Sequence, residues 1–223
     1  PIYRMDFDVI GRSLPLYAEA AALTARIGII GVLASLVLGA LCAAVQYFRI
    51  PVVRQIVTGY VELSRNTPLL VQLFFLFYGL PKVGVIMSGE TCAIIGLTFL
   101  DGSYMAEALR SGLDEIPQIH RMSAAALGLN RRQTFIHVLV PQGVATAMPA
   151  LTANTIFLIK ETSMVSVVAL PDLVYRAKEQ IGNSYTTTEA LFLLVVFYLL
   201  ILIPVALLGR YLERRTRRHA ATA

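Results

Sequence analysis

The sequence predicts an all-α membrane protein of about five transmembrane helices, with its N-terminus outside and its C-terminus cytoplasmic. Three observations carry this prediction. The 223 residues are 57% hydrophobic and only 15% charged, with mean hydropathy +0.68, a balance that soluble domains rarely have. The apolar residues are contiguous: Ile27–Val45, Val138–Ile159 and Ala190–Gly209 carry no charge, and each is close to the ~20 residues a helix needs to cross a bilayer core. Lipid offers the backbone no hydrogen-bond partners, so such runs must be helical. The third observation is that the basic residues gather where these runs end.

The first span is expected at about Thr24–Tyr47. Small residues recur along it at every fourth position, Gly31, Ser35, Gly39 and Ala43. That is either a close-packing face for another helix or a consequence of Gly- and Ala-rich composition. The preceding Asp8–Tyr17 is too short to cross and is expected to lie along the outer interface. The second span is expected at Val53–Leu80, with polar groups in its first half. The third is Val85–Gly112, where Glu90, Asp101, Glu107 and Arg110 intrude. The fourth is Thr134–Val168, interrupted by Pro141 and Pro149, and the fifth is Ala190–Leu212. Between the last two, Pro171–Thr188 reads as a loop or as a short helix on the outer side begun by Pro171-Asp172.

Orientation follows from Lys and Arg in the flanks. Arg49 and Arg54 follow the first span, Arg121, Arg131 and Arg132 the third, and Arg210, Arg214, Arg215, Arg217 and Arg218 the fifth. The opposite side carries Arg4, Arg12, Lys82, Arg176 and Lys178, diluted by Asp6, Asp8, Glu19, Asp172 and Glu179. The first set is the more basic and is assigned to the cytoplasm. The same placement makes the net charge of +5 a topology signal rather than a nucleic-acid footprint. No cleavable signal peptide is read at the start, which lacks a continuous apolar core before the first span.

A charge near the bilayer centre costs roughly 2.5–3.5 kcal/mol, so each polar intrusion needs a partner, a wet cavity or the interface. There are three clusters. In the first, Glu62 and Arg65 are spaced to pair on one helix face, Gln72 lies on that face, and Pro68 can kink the helix. In the second, Ser103, Glu107 and Arg110 share a face beside Asp101 and Tyr104. In the third, Asn154 and Glu161 align, whereas Lys160 points elsewhere and is not expected to satisfy Glu161. These groups either lock helices together or line a polar pathway. The pathway candidates are Thr67, Gln72, Ser103, Tyr104, Glu107, Asn154, Thr155, Glu161 and Ser163.

Other chemistries find no support in the pattern. Cys42 and Cys92 fall in spans and read as packing residues rather than a disulfide or metal pair. His120, His137 and His219 fall in cytoplasmic segments without metal spacing. No nucleophile–base pair is readable, so no catalytic residue is assigned. There is no G-x-x-x-x-G-K-S/T phosphate loop, and the chain contains no Gly-Lys dipeptide. Any ATP drive must therefore come from a partner.

One segment stands apart: Ile116–Pro141, polar and basic between apolar runs, with Ala124-Ala125-Ala126-Leu127-Gly128 set before Pro141. It resembles the cytoplasmic coupling loop of an ABC-importer permease. Tyr60–Pro81 (YVELSRNTPLLVQLFFLFYGLP) is similar to the second-span signature of polar amino acid permeases, the histidine/glutamine/arginine group. Gly102–Pro117 (GSYMAEALRSGLDEIP) looks like that group's third span, Ala126–Gln142 like the second half of its loop motif, and Met148–Leu173 like its fourth span. The basic Leu212–Arg218 also fits. The family usually has Gly-Gln, one residue, then Glu-Ala-Ala. Here Ile119-His120, Arg121 and Met122-Ser123-Ala124 stand there, so the acidic residue is missing.

The resemblance implies a type I ABC-importer permease core, one transmembrane permease domain over 1–223 with a coupling helix region at 116–130, in a bacterial inner membrane. It implies an ATPase dimer carrying ATP and magnesium, a second permease subunit, identical or paralogous, and an extracytoplasmic amino-acid-binding protein. It assigns ATPase coupling to Ser123, Ala124, Ala125, Leu127, Gly128 and Leu129. No cofactor or metal is expected on this chain. Thr155 stands where an acidic residue would suit a strongly cationic solute, which argues against an arginine- or lysine-specific pathway. Glutamine, glutamate, aspartate or cystine-like solutes stay open. The alternatives are an ion-coupled secondary transporter and a structural membrane assembly subunit. No repeat between the halves supports the former, and the Ala-rich basic loop is unexplained by the latter.

Overall fold

The computed structural model describes residues 5–220, with side chains described through Thr216. Of the residues used for orientation, Arg4 and the side chains of Arg217, Arg218 and His219 lie outside this range. Every regular element among the described residues is helical: α1 Phe7–Phe48, α2 Val53–Arg65, α3 Leu69–Phe74, α4 Gly89–Asp114, α5 Gln118–Ala126, α6 Arg131–Thr134, α7 Val140–Glu161, α8 Leu173–Ser184 and α9 Thr187–Ala220. A π-helical turn and a 3-10 turn extend α3 to Val83. A π-turn at Phe135–Leu139 joins α6 to α7, and a 3-10 segment extends α7 to Val168.

Among the described residues four helices are long and apolar enough to cross a membrane: α1, α4, the Arg131–Val168 helix and α9. The expected second span is not one rod. Pro68 has no amide hydrogen to give and disfavours helical geometry at Thr67, so the helix stops at Arg65 and a shorter apolar helix, Leu69–Val83, starts again. The Arg65–Gln72 face expected from unbroken helical spacing is therefore lost. The expected interfacial segment Asp8–Tyr17 is also corrected. It is part of α1, which runs 42 residues through Pro15, because Ile10, Tyr17 and Ala20 are buried against Leu173, Ala177 and Leu193.

The chain divides into two compact units. One holds the described residues up to Leu33 together with Thr67–Thr98 and Phe157–Val205. Its core is built on that Tyr17 cluster. The Tyr17 hydroxyl donates to the Ala190 carbonyl at 3.5 Å, and the Leu173 amide donates to Thr24 Oγ1 at 3.4 Å. Pro171-Asp172 begins α8 as a capping helix: the buried Asp172 accepts the Tyr175 amide at 2.9 Å. The exposed Arg26 pairs with Glu90 at 2.7 Å.

The other unit holds Ala34–Asn66, Phe99–Ile156 and the described residues from Ala206. Three small apolar clusters make its core: Cys42, Val57, Val61 and Ala106; Met105, Ala108, Ala147 and Leu151; Leu113, Ile116 and Leu139. Small residues let its helices meet closely. A Cβ on Gly112 would collide with the Gly143 carbonyl, and one on Gly102 would lie 2.8 Å from Leu38. Buried Asp101 accepts the Ser35 hydroxyl at 3.3 Å. Tyr60 and Ser64 both donate to the Phe99 carbonyl, at 2.7 and 2.8 Å. Cys42 in this unit and Cys92 in the first are buried free thiols.

Candidate functional site

The second of these units contains a half-open polar cavity of about 1040 Å³. Helix periodicity supplies its walls. On α2, Arg54, Thr58, Glu62 and Arg65 recur every three or four residues and line it, with Val61 at its edge, while Val57 and Ser64 turn towards the core. On α4, Tyr104, Glu107, Arg110 and Asp114 form the facing stripe. Gln46, Tyr47 and Arg49 at the end of α1, with Arg121 and Arg131, complete it.

The charges on α2 and α4 are organised around Glu107. Arg110 binds it at 2.6 Å and Asp114 at 2.6 Å, and Arg65 approaches Glu107 at 3.8 Å while its guanidinium lies 5.3 Å from the centre of the Tyr104 ring. Arg65 thus pairs on the neighbouring helix and not with Glu62, because the fold brings α4 to it and a shared helix face alone does not settle a partner. Glu107 and the arginines keep roughly a third or more of their side chains exposed, so this network sits at a wet wall.

The pathway candidates separate into groups. Tyr104 and Glu107 line the cavity. Asn154 and Thr155, half-buried on α7, belong to the same unit, but the Thr155 hydroxyl donates to Leu151 within its own helix at 2.8 Å. Ser103 is fully buried and donates to the Leu100 carbonyl at 2.6 Å within α4. In the first unit, buried Gln72 donates to the Thr67 carbonyl at 3.0 Å across the Pro68 break. Glu161 and Ser163 are half-buried there, and exposed Lys160 forms no ion pair with Glu161 among the described residues.

The Ala-rich segment is a nine-residue helix, α5, held rigidly at its C-terminus. Gly128, at φ +78°, donates to the Ala125 carbonyl, and Leu129 donates to the Ala124 carbonyl, each at 3.0 Å. This left-handed glycine cap satisfies two helix-end carbonyls. Asn130 then starts α6 with a reciprocal cap: its side chain accepts the Gln133 amide and Gln133 accepts the Asn130 amide, both at 2.9 Å. Two helices are thereby joined with almost no slack.

Ala124 is buried against its own chain. The exposed apolar groups of this element are Ile119 at 60%, Met122 at 58% and Leu127 at 80%. Ser123, Ala125 and Gly128 are exposed beside them, with Leu129 half-buried. Ile119 and Met122 were read in the sequence only as departures from a motif. Their three-residue spacing, which places them on one helix face, is the signal in the sequence that points to them.

Comparison with known proteins follows from this geometry. Residues 35–218 match the family described as binding-protein-dependent transport system inner membrane component. The chain is 31% identical over 196 residues to the probable amino-acid ABC transporter permease protein PatM of Vibrio harveyi, covering 86% of this chain and 88% of that one. It is 29% identical to the glutamine transport system permease protein GlnP of Escherichia coli K12, covering 96% and 99%. Among solved structures, a chain of an amino acid ABC transporter crystallised with histidines superposes with TM-score 0.87 at 25% identity, covering 95% of this chain and 99% of that chain. A chain of the inward-facing MetNI methionine ABC transporter gives TM-score 0.76 at 19% identity, covering 92% and 98%, a likeness of fold.

Proposed function

The chain belongs to the family of binding-protein-dependent transport system inner membrane components, a multi-pass and non-catalytic membrane component, and from that membership we propose that it carries a polar amino acid into the cytoplasm. An ATPase dimer supplies the ATP, bound with magnesium outside this chain. A second permease subunit encloses the pathway with it, and an extracytoplasmic binding protein delivers the solute. Leu69–Val83 with α2 completes the count of five passes, N-terminus outside, and Arg49, Arg54, Arg121, Arg131, Arg132, Arg210, Arg214 and Arg215 face the cytoplasm.

The observation that carries this reading is α5. It presents Ile119, Met122 and Leu127 outward while capped tightly at its end. An exposed aliphatic face on a rigid polar loop has no use in lipid and fits the groove of a partner protein. ATP-driven closure of that partner moves α5, and α5 moves α4 and α7, to which the chain connects it on either side. Alternating access follows from the different contacts made in each state. Where an acidic residue usually makes a polar contact, exposed Met122 gives an apolar one, so the ATPase groove is expected to be apolar at that point.

The pathway is assigned to Tyr104, Glu107, Asn154, Thr155, Thr67, Gln72, Glu161 and Ser163. The mixed charge around Glu107 suits a zwitterion, and Thr155 leaves a strongly cationic solute without its acid. Tagged purification in mild detergent, with mass spectrometry and an ATPase assay, is the test. A co-purifying P-loop subunit with ATP turnover supports the reading. A lone chain whose vesicle uptake follows only an ion gradient replaces it with a secondary transporter.

A further inference from the structure

The cavity has two chemically different ends. At one, Arg65 and Arg110 are balanced by Glu107 and Asp114. At the other, Arg49, Arg54, Arg121 and Arg131 line the wall, and no acid pairs with any of the four among the described residues. Arg121 and Arg131 hold their guanidiniums 5.8 and 5.7 Å from the centre of the Tyr47 ring. They donate to the carbonyls of Leu113 at 3.2 Å and Tyr47 at 3.1 Å. Those acceptors orient the two cations without neutralising them. Arg121 Nε is buried and has no hydrogen-bond partner, which leaves a charged donor unsatisfied beside the cavity.

Four cations line this cavity against one further acid, Glu62, so their net repulsion is relieved when an anion joins them, and guanidinium forks match the paired oxygens of phosphate and carboxylate. The same corner carries a second surface. Ile50, Val52, Val53 and Ile56 are exposed and interleave in sequence with Arg49 and Arg54. Arg49 and Val52 adopt left-handed backbone, at φ 54° and 65°, which turns the chain sharply between them. Aliphatic groups beside an arginine-lined pocket match a molecule that joins a phosphate to hydrocarbon.

We propose that this arginine end binds a phosphate group, and that the phosphate is the headgroup of an anionic phospholipid whose acyl chains lie along Ile50, Val52, Val53 and Ile56. The proposal rests on the cytoplasmic placement of these arginines given above and not on which solute is carried. Basic pockets on the cytoplasmic side of membrane helices are where anionic headgroups bind.

Native mass spectrometry of the full chain, with any subunit that co-purifies, tests it. The protein is titrated with phosphatidylglycerol, phosphatidylcholine and inorganic phosphate. The expected result is retention of phosphatidylglycerol at least ~5-fold above phosphatidylcholine, falling by at least ~5-fold in R49Q/R54Q. Both residues are exposed, so the folded protein survives the change. R210Q/R214Q removes the same charge elsewhere and should leave the preference intact. Equal retention of the two lipids overturns the proposal, as does an equal loss in both double variants. Saturation by inorganic phosphate that displaces the lipid assigns the pocket to a soluble phosphate instead. The readout is lipid mass on the chain, so it stands or falls separately from ATPase association and uptake.

Discussion

Gly39 lies so close to Met105 that a Cβ on it would stand 2.5 Å from the Met105 Cβ and 2.8 Å from the Ala106 amide nitrogen. The small-residue period in α1 is therefore a packing face at this point and not an accident of composition. Gly39→Val should lower the stability of the detergent-solubilised protein by about 1–3 kcal/mol, because the intruding atoms meet a neighbouring backbone that cannot yield. Gly59, on α2, has nothing within 4 Å of the same position. Gly59→Ala should be neutral or stabilising by up to about 1 kcal/mol through helix propensity. Thermal melts of the two variants side by side check the contrast, and equal melting points would remove the close contact.

Glu107 ties Arg65 to Arg110 at a partly exposed wall. Exposed ion pairs contribute only about 0–1 kcal/mol each, so Glu107→Gln should shift the melting temperature little. Uptake should fall several-fold, because Arg65 then faces the solute without its counter-charge and Arg110 keeps only Asp114. Loss of folding with normal uptake per folded molecule would make the network structural.

Burial drives the carboxyl of Asp172, which caps α8, up to about 6 from an ordinary 3.8, against the opposing pull of the α8 amides and Lys178. The folded state therefore holds this proton more tightly than the unfolded state. Stability from this group is fully present below pH ~4 and is lost as pH rises through about 6. Asp172→Asn keeps a side chain that caps equally well and removes the buried charge. Its unfolding free energy should match wild type below pH ~4 and exceed it above pH ~7, by an amount on the order of 3 kcal/mol. A constant difference across that range would show that Asp172 does not titrate in the folded protein.

How far the sequence reaches is clear from these positions. The uncharged runs mark α1, α7 and α9, and Pro171-Asp172 offers a helix start as one of two readings, loop or helix, because span length and capping are local properties. The break at Asn66–Pro68 was visible as a proline but not as the end of a helix, since a proline can also merely kink one. The partner of Arg65 was out of reach: Glu62 is near in sequence, and only tertiary packing brings Glu107 nearer in space. Ser103 looked like a lining residue because its hydroxyl is cheap to keep in lipid, yet the same cheapness lets it bond its own helix. Depth within a small helix is likewise a tertiary property, so the burial of Ala124 beside exposed Leu127 is not legible from their spacing.

Sidedness can be tested with two exposed positions. Ile86 is 82% exposed, and Arg214 is exposed near the end of α9. Cysteines at Ile86 and Arg214 should react with a membrane-impermeant maleimide from opposite faces of the membrane. Background from Cys42 and Cys92 should be low because both thiols are buried. Gly89 is a poor reporter, since a side chain there would strike the Val168 carbonyl. Labelling of both sites from one face would reject five passes.

The coupling assignment yields the sharpest contrast, because α5 separates exposed from buried positions within four residues. Leu127 is 80% exposed and has no fold-stabilising burial to lose. Leu127→Arg should leave the chain folded and melting normally while ATP hydrolysis no longer drives uptake, since a charge enters an apolar groove unpaired. Ala124→Arg should instead destabilise the loop itself, because it forces a long charged side chain into a buried site, and the protein should be recovered poorly. Gly128→Arg is intermediate. There is open space for its side chain, but φ +78° strains any residue with a Cβ, by roughly 1–2 kcal/mol. It should loosen the cap and reduce coupling without abolishing assembly. Uptake and ATPase rates measured together in proteoliposomes distinguish the three. Normal coupled uptake by Leu127→Arg would move the docking surface away from α5, and with it the observation on which the importer reading most depends.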